Sequence, residues 1–92
     1  STLKALFVSF DEKTFDFAFE CLQKLRAAGI PSEIYPEPVK LKKQMEYANR
    51  RGVPFTVVVG ETEMETGKLT VKTMATGEQE LLTIDDLIKK LG

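Results

Sequence analysis

Acidic side chains and lysines gather where the chain leaves a predicted strand or enters a predicted helix. Asp11 and Glu12 follow one apolar run, Glu61 and Glu63 follow another, and Lys43 lies in the first turn of a helix. Paired carboxylates can act as general acid and base, but in wet loops the pKa of a carboxyl group stays near its ordinary value. We therefore predict no catalytic residue from these groups.

The positive charge is concentrated in one segment. The whole chain has a net charge of −1, whereas residues 36–52 carry two anions, Glu37 and Glu46, against the five cations Lys40, Lys42, Lys43, Arg50 and Arg51. A basic patch on a near-neutral domain can bind phosphates, and it can also be an ordinary solvated helix face. Composition alone leaves both interpretations open.

Several classes of site are excluded by composition. The chain has no histidine and a single cysteine, Cys21, which excludes an internal disulfide, histidine-dependent nucleophiles and nearly every transition-metal site. The glycines match neither GxGxxG nor GxxxxGKS, so we expect no cofactor in this domain. There is no apolar run of about 18 residues and no signal-peptide pattern, so we expect no membrane partner. Low cysteine content agrees with a cytoplasmic location.

Apolar periodicity predicts the elements that position these groups. Ala5–Phe10 is predicted as a buried strand, followed by a helix that ends near Gly29 and whose N-cap is Asp11, with Thr14 as the alternative. Ile30–Tyr35 carries charge and is predicted as an edge strand. Residues 36–38, Pro-Glu-Pro, form a stiff loop, because each proline restricts its own φ and the residue before it.

A second helix follows, from Lys40 to Arg51. Its predicted apolar stripe consists of Leu41, Met45 and Ala48, at i, i+4 and i+7. The run Phe55–Val59 is apolar on both faces, as in a strand that is covered on both sides.

The remaining elements complete the sheet. Gly60–Gly67 is predicted as an acidic turn, residues 69–74 and 79–82 as an antiparallel pair, and the last residues as a helix capped by Thr83. Two right-handed crossovers join the first three strands. The prediction is one α/β domain over residues 1–92, a three-layer α/β/α fold with a five-stranded mixed sheet in the order 2-1-3-4-5 and one antiparallel strand.

This topology brings the polar groups to one edge. Ligands of open α/β sheets bind beyond the carboxyl ends of the strands, where the strand order reverses. Here Phe10 and Asp11 should meet Gly60 and Glu63 at that edge, beside residues 36–43.

Six short segments in this order resemble one family. They are Leu-Lys-Lys-Gln at 41–44, Tyr-Ala-Asn at 47–49, Gly-Val-Pro-Phe at 52–55, Gly-Glu-Thr-Glu at 60–63, Gly-Lys-Leu-Thr-Val-Lys at 67–72 and Thr-Gly-Glu-Gln at 76–79. Together they resemble the C-terminal anticodon-binding domain of class II aminoacyl-tRNA synthetases, and most of all that of histidyl-tRNA synthetases. The resemblance implies the anticodon-binding-domain fold and a role in binding the anticodon loop of tRNA-His.

The resemblance also nominates the residues that would contact RNA, which are Glu37, Pro38, Lys40, Lys43, Gln44, Glu63 and Lys72. Lysines would hold phosphates, while carboxylate and amide groups would read the Watson–Crick edges of unstacked bases. Glu63 would accept hydrogen bonds from a guanine, and Lys72 would donate to a base carbonyl. Phe10 is expected as a buried residue at a strand end, with stacking on a base as the alternative.

A longer parent protein is implied as well. The three arginines are Arg26, Arg50 and Arg51, none in the context of a synthetase catalytic motif, so the catalytic domain is expected to lie outside this chain. The parent would be a homodimeric, cytoplasmic synthetase that uses ATP and Mg²⁺, and the domain would pack against its catalytic core. A synthetase-like regulatory domain that binds RNA or protein is the alternative. A small flavodoxin-like or thioredoxin-like protein is disfavoured, because neither a phosphate loop nor a CxxC motif is present.

Overall fold

The computed structural model describes residues 3–92, which form five strands and four helices. In chain order the elements are β1 (Ala5–Ser9), α1 (Glu12–Ala27), β2 (Ser32–Ile34), α2 (Leu41–Arg51), β3 (Phe55–Val59), α3 (Glu61–Thr66), β4 (Lys68–Thr73), β5 (Gln79–Thr83) and α4 (Ile84–Leu91).

The strands form one mixed sheet in the order β2-β1-β3-β4-β5. β1 pairs in parallel with both β2 and β3, and β4 is antiparallel to its neighbours β3 and β5. The predicted strand order, the single antiparallel strand and the edge position of β2 are therefore confirmed.

Helices cover both faces of the sheet, which confirms the three layers. Alternate residues of β1 point to opposite faces. Phe7 belongs to the larger core, which includes residues of α1 and α4, whereas Leu6 packs in the smaller core with Ala48 of α2. Leu82 packs with the larger core, so its neighbour Leu81 faces the α2 side, where it is 61% exposed. On that side α2 covers β1 and leaves β4 and β5 open to solvent.

The predicted cap of α1 is present and is reciprocal. Asp11 Oδ1 accepts hydrogen bonds of 2.8 Å from the main-chain N–H and the hydroxyl of Thr14, and Thr14 Oγ1 accepts one of 3.0 Å from the Asp11 N–H. This arrangement satisfies donors that the first turn of a helix leaves unpaired. Phe10 N–H also donates to Thr14 Oγ1, at 3.0 Å, which fixes the main chain between β1 and α1.

Two local predictions were wrong. The segment predicted as an acidic turn contains the short helix α3, which starts after Gly60 and ends at Gly67 with φ +73°. In α2 the buried positions are Gln44 and Ala48, whereas Leu41, predicted in the apolar stripe, is exposed. The helix is therefore rotated relative to the predicted stripe, because it packs on β1 through an amide group as well as through Ala48.

Candidate nucleic-acid interface

The carboxyl ends of β1 and β3 lie side by side, with Ser9 in register with Val59. The first turn of α2 is tied to Ser9 through Gln44, and α3 is tied to Gly60 through Glu63. The lysines that begin α2 and the acidic helix α3 therefore flank the same end of the sheet. This is the convergence that the strand order predicts.

Gln44 holds α2 in place. Its side chain is fully buried, and its Oε1 accepts a hydrogen bond of 3.2 Å from the Ser9 N–H. Its Nε2 donates to the carbonyls of Ser9 and Val39, both at 2.7 Å. The last β2 residue in register with β1 is Ile34, opposite Phe7, so the amide of Gln44 supplies the partners that β2 no longer offers to Ser9. Gln44 was predicted to read a base, but in this structure both of its N–H donors are used inside the protein, so the side chain has no free donor to offer a base.

Glu63 presents an oriented carboxylate. Oε1 accepts from the Gly60 N–H and Oε2 accepts from the hydroxyl of Thr70, both at 2.8 Å. Partial burial raises the pKa of Glu63, but the hydrogen bonds from Thr70, Gly60 and its own main chain outweigh that effect and lower the pKa. The group is therefore ionised at neutral pH and unsuited to proton transfer there. A carboxylate has about four acceptor positions, so it keeps capacity for a further donor.

Lys72 lies on the same face of the sheet as Thr70, since the two residues are separated by one position of β4. It is half-buried and stands in register with Thr56 on one side and Gln79 on the other. The spacing from Thr70 is about 7 Å along the strand. Glu63 and Lys72 thus border one open patch of sheet, with Leu81 in register with Thr70 beyond them.

The loop before α2 lies at the same edge. Glu37 and Pro38 are exposed, and the Val39 N–H donates to the Glu37 carbonyl at 2.8 Å. Lys40 and Lys43 are also exposed and line a shallow groove with Val39. Within residues 3–92 both ion pairs lie elsewhere, so neither lysine has a carboxylate partner there.

The basic patch is smaller than its five predicted cations. Arg50 and Arg51 lie in the last turn of α2, on the order of 15 Å along the helix from its first residues. Arg51 forms an ion pair with Glu33 at 2.8 Å and a hydrogen bond with the hydroxyl of Tyr47 at 2.6 Å. Of these five cations, those at the site are the three at the start of α2, Lys40, Lys42 and Lys43.

Phe10 differs from its expected role as a buried residue. It is 44% exposed, and its ring lies next to Gly60 and the carboxylate of Glu63. The sequence contained one feature that indicates this position of the ring, which is Gly60 after the neighbouring strand β3. A residue without a side chain leaves room for a ring beside it.

The model of the family described as "Anticodon binding domain" matches residues 4–92. The chain belongs to this family. The anticodon binding domain accounts for the five-stranded sheet and for nearly the full length of the chain.

Curated relatives share about half of the residues of this anticodon binding domain. A histidine–tRNA ligase of Phocaeicola vulgatus is 52% identical over 83 residues, which is 90% of this chain and 18% of that protein. One of Bacteroides fragilis is 50% identical over 86 residues, which is 94% of this chain and 19% of that protein. The chain therefore spans about a fifth of the length of the curated relatives it matches.

Solved structures share the fold of this anticodon binding domain. The apo histidyl-tRNA synthetase of S. aureus superposes with a TM-score of 0.87 at 34% identity, over 98% of this chain and 23% of that chain. The RNA binding domain of a threonyl-tRNA synthetase from Cryptosporidium parvum gives a TM-score of 0.92 at 28% identity, over 99% of this chain and 23% of that chain. Within residues 3–92, the helices are too short or too polar to cross a bilayer.

Proposed function

We propose that this domain binds the anticodon loop of tRNA-His as part of a histidine–tRNA ligase. The observation that carries the proposal is the placement of Lys43 and Glu63 at one end of the sheet, linked through the paired residues Ser9 and Val59. In a single-stranded RNA loop the phosphates and the base edges point in different directions. Cations on one side of the open patch can bind the phosphates, while an oriented carboxylate on the other side can bind the base edges.

The proposed contacts fall into two groups. Lys40 and Lys43 attract phosphates, while Glu63 and Lys72 face base edges. Glu37 and Pro38 line the loop beside them, where the main chain is the available hydrogen-bonding group of Pro38. Gln44 is a support for this surface and not part of the contact set. A guanine offers two adjacent donors, N1–H and N2–H₂, either of which can use the acceptor position that Glu63 keeps free.

The parent protein is part of the proposal. The names of the relatives favour an enzyme that attaches histidine to tRNA-His with ATP over a regulatory protein. We propose that ATP and Mg²⁺ are used by a catalytic domain outside this chain, against which this domain packs in a cytoplasmic homodimer, and that this domain itself needs no cofactor and catalyses no reaction.

The test is a titration of the chain with a fluorescent anticodon stem-loop of tRNA-His, followed by anisotropy. A stem-loop with the same stem and an altered GUG anticodon is the control. We expect tighter binding of the GUG loop, and equal affinity for both loops would contradict the proposal.

The contribution of the lysines has a matched control within the chain. Lys43→Ala should weaken binding of both loops and reduce the dependence of log Kd on log salt by about one contact, or roughly 0.7–0.9 in slope. Lys89→Ala removes the same charge from an exposed position on α4. It should leave the affinity and its salt dependence unchanged. Equal effects of the two substitutions would show that net charge, and not the site, attracts the RNA.

A further inference from the structure

Phe10 is a large apolar side chain that is left in solvent at the centre of the proposed site. Phe10 is 44% exposed although it directly follows a strand whose residues are all buried. Phe19, the other phenylalanine exposed to a similar degree, stacks on Phe15 with ring centroids 6.5 Å apart. Within residues 3–92 the aromatic pairs are Phe15–Phe19 and Tyr35–Tyr47, so Phe10 has no aromatic partner in this part of the chain.

The ring of Phe10 packs beside Gly60. A methyl group added at Gly60 would lie 3.4 Å from Phe10 Cε2 and 3.0 Å from Glu63 Oε1. The main chain of Gly60, with φ −108°, suits any residue, so it is the space above it that favours glycine. The ring edge and the carboxylate therefore both border the space that a side chain at Gly60 would occupy, and such a side chain would push one of them away.

The main chain that carries the ring is fixed. Phe10 N–H and Asp11 N–H both donate to Thr14 Oγ1 at 3.0 Å, and Thr14 is buried. Ser9, the preceding residue, is held by Gln44 on one side and by β3 on the other. A ring on such a main chain loses little conformational freedom when a ligand packs on it, which favours binding.

We propose that Phe10 is a stacking platform for one unpaired base of the bound RNA, with the Watson–Crick edge of that base directed toward Glu63. The inference rests on the proposed function, because it takes the ligand to be a single-stranded RNA loop. Stacking contributes affinity for any base, since every base has a π-face, whereas the carboxylate selects a base that presents hydrogen-bond donors. Affinity and selectivity are thereby divided between two adjacent side chains.

The chain has no tryptophan, so Phe10→Trp introduces a single indole at the platform. We expect the emission of this indole to be quenched on titration with the GUG stem-loop, with an affinity near that of the unmodified chain. Phe19→Trp is the matched control, because Phe19 is 40% exposed but lies on α1, which packs on the opposite face of the sheet. Its emission should not change when RNA binds.

Phe10→Ala gives the second measurement. We expect Kd to rise about 5- to 150-fold, the range that corresponds to one base–aromatic stack, while the salt dependence stays unchanged because no charge is removed. A circular-dichroism melt verifies that the exposed substitution leaves the fold intact.

The outcomes separate this inference from the proposed function. Equal quenching by the GUG loop and by an unstructured heptanucleotide would support the platform while contradicting anticodon selection. Saturable RNA binding without quenching of the Phe10→Trp variant, or with unchanged affinity of Phe10→Ala, would overturn the platform and leave RNA binding intact. Failure of the unmodified chain to bind any of these RNAs would overturn both.

Discussion

Replacement of Gln44 by leucine tests the physical basis of the site, because it removes the amide and keeps a side chain of similar size. The three hydrogen bonds of Gln44 would be lost. Ser9 is fully buried, so its N–H and carbonyl would both be left without a partner on that side. The Val39 carbonyl is closer to solvent and can bind water instead.

The expected magnitude follows from these two groups. A buried main-chain group that loses its partner costs about 1–3 kcal/mol, so two of them cost about 2–6 kcal/mol. Leucine returns about 1–2 kcal/mol of this through apolar burial, which leaves a loss of about 1–4 kcal/mol in the free energy of unfolding. A domain of 92 residues is typically stable by roughly 5–14 kcal/mol, so the loss would be a large part of the total.

Urea denaturation followed by circular dichroism measures this loss, and a thermal melt should show a Tm lower by at least about 4 °C. Gln23→Leu is the control, because Gln23 is an exposed residue of α1, and it should change stability by less than about 0.5 kcal/mol. The reasoning would be refuted if the two substitutions had equal effects, since the amide of Gln44 would then contribute nothing beyond its volume.

Two further predictions concern the acidic groups. Glu63→Gln keeps an acceptor for the Gly60 N–H and a group that can pair with Thr70, so it should preserve the fold while reducing the preference for the GUG loop; an equal loss of affinity for every loop sequence would contradict base reading by Glu63. The backbone hydrogen bond from Thr14, with its side-chain hydrogen bond next, lowers the pKa of Asp11 from its usual 3.8, so Asp11 stabilises the fold above that pH and the stabilisation is lost as pH falls through the lowered pKa. Urea midpoints between pH 5 and pH 2.5 should therefore fall less steeply for Asp11→Asn than for the unmodified chain, and identical pH profiles would contradict this assignment.

Most of the fold was predictable because it follows from local patterns. The apolar run of β1, the cap at Asp11 and the stop at Gly52, with φ +66°, are each recognisable within a few residues. The pairing of β4 with β5 followed from the length of their connection, since a short turn allows only an antiparallel pair.

The details of the site depend on where neighbouring elements end, which no local pattern contains. The burial of Gln44 results from the early end of β2 at Ile34, after which Ser9 lacks a strand partner on the β2 side. The exposure of Phe10 results from the room above Gly60 and from the limited reach of α2 over the sheet. Glutamine is usually exposed and phenylalanine is usually buried. Gln44 and Phe10 are exceptions to this rule because of the tertiary structure around them.

The residue that anchors α2, Gln44, is separate from the exposed loop of residues 36–38, which is proposed to contact RNA. Helix α2 is fastened to β1 from within its own first turn, through the two hydrogen bonds between Gln44 and Ser9, so the exposed residues 36–38 carry no part of that attachment. Tripeptides from other anticodon binding domains could therefore be grafted at this position without disturbing the scaffold, and the loop can diversify in evolution while the helix beside it stays in register.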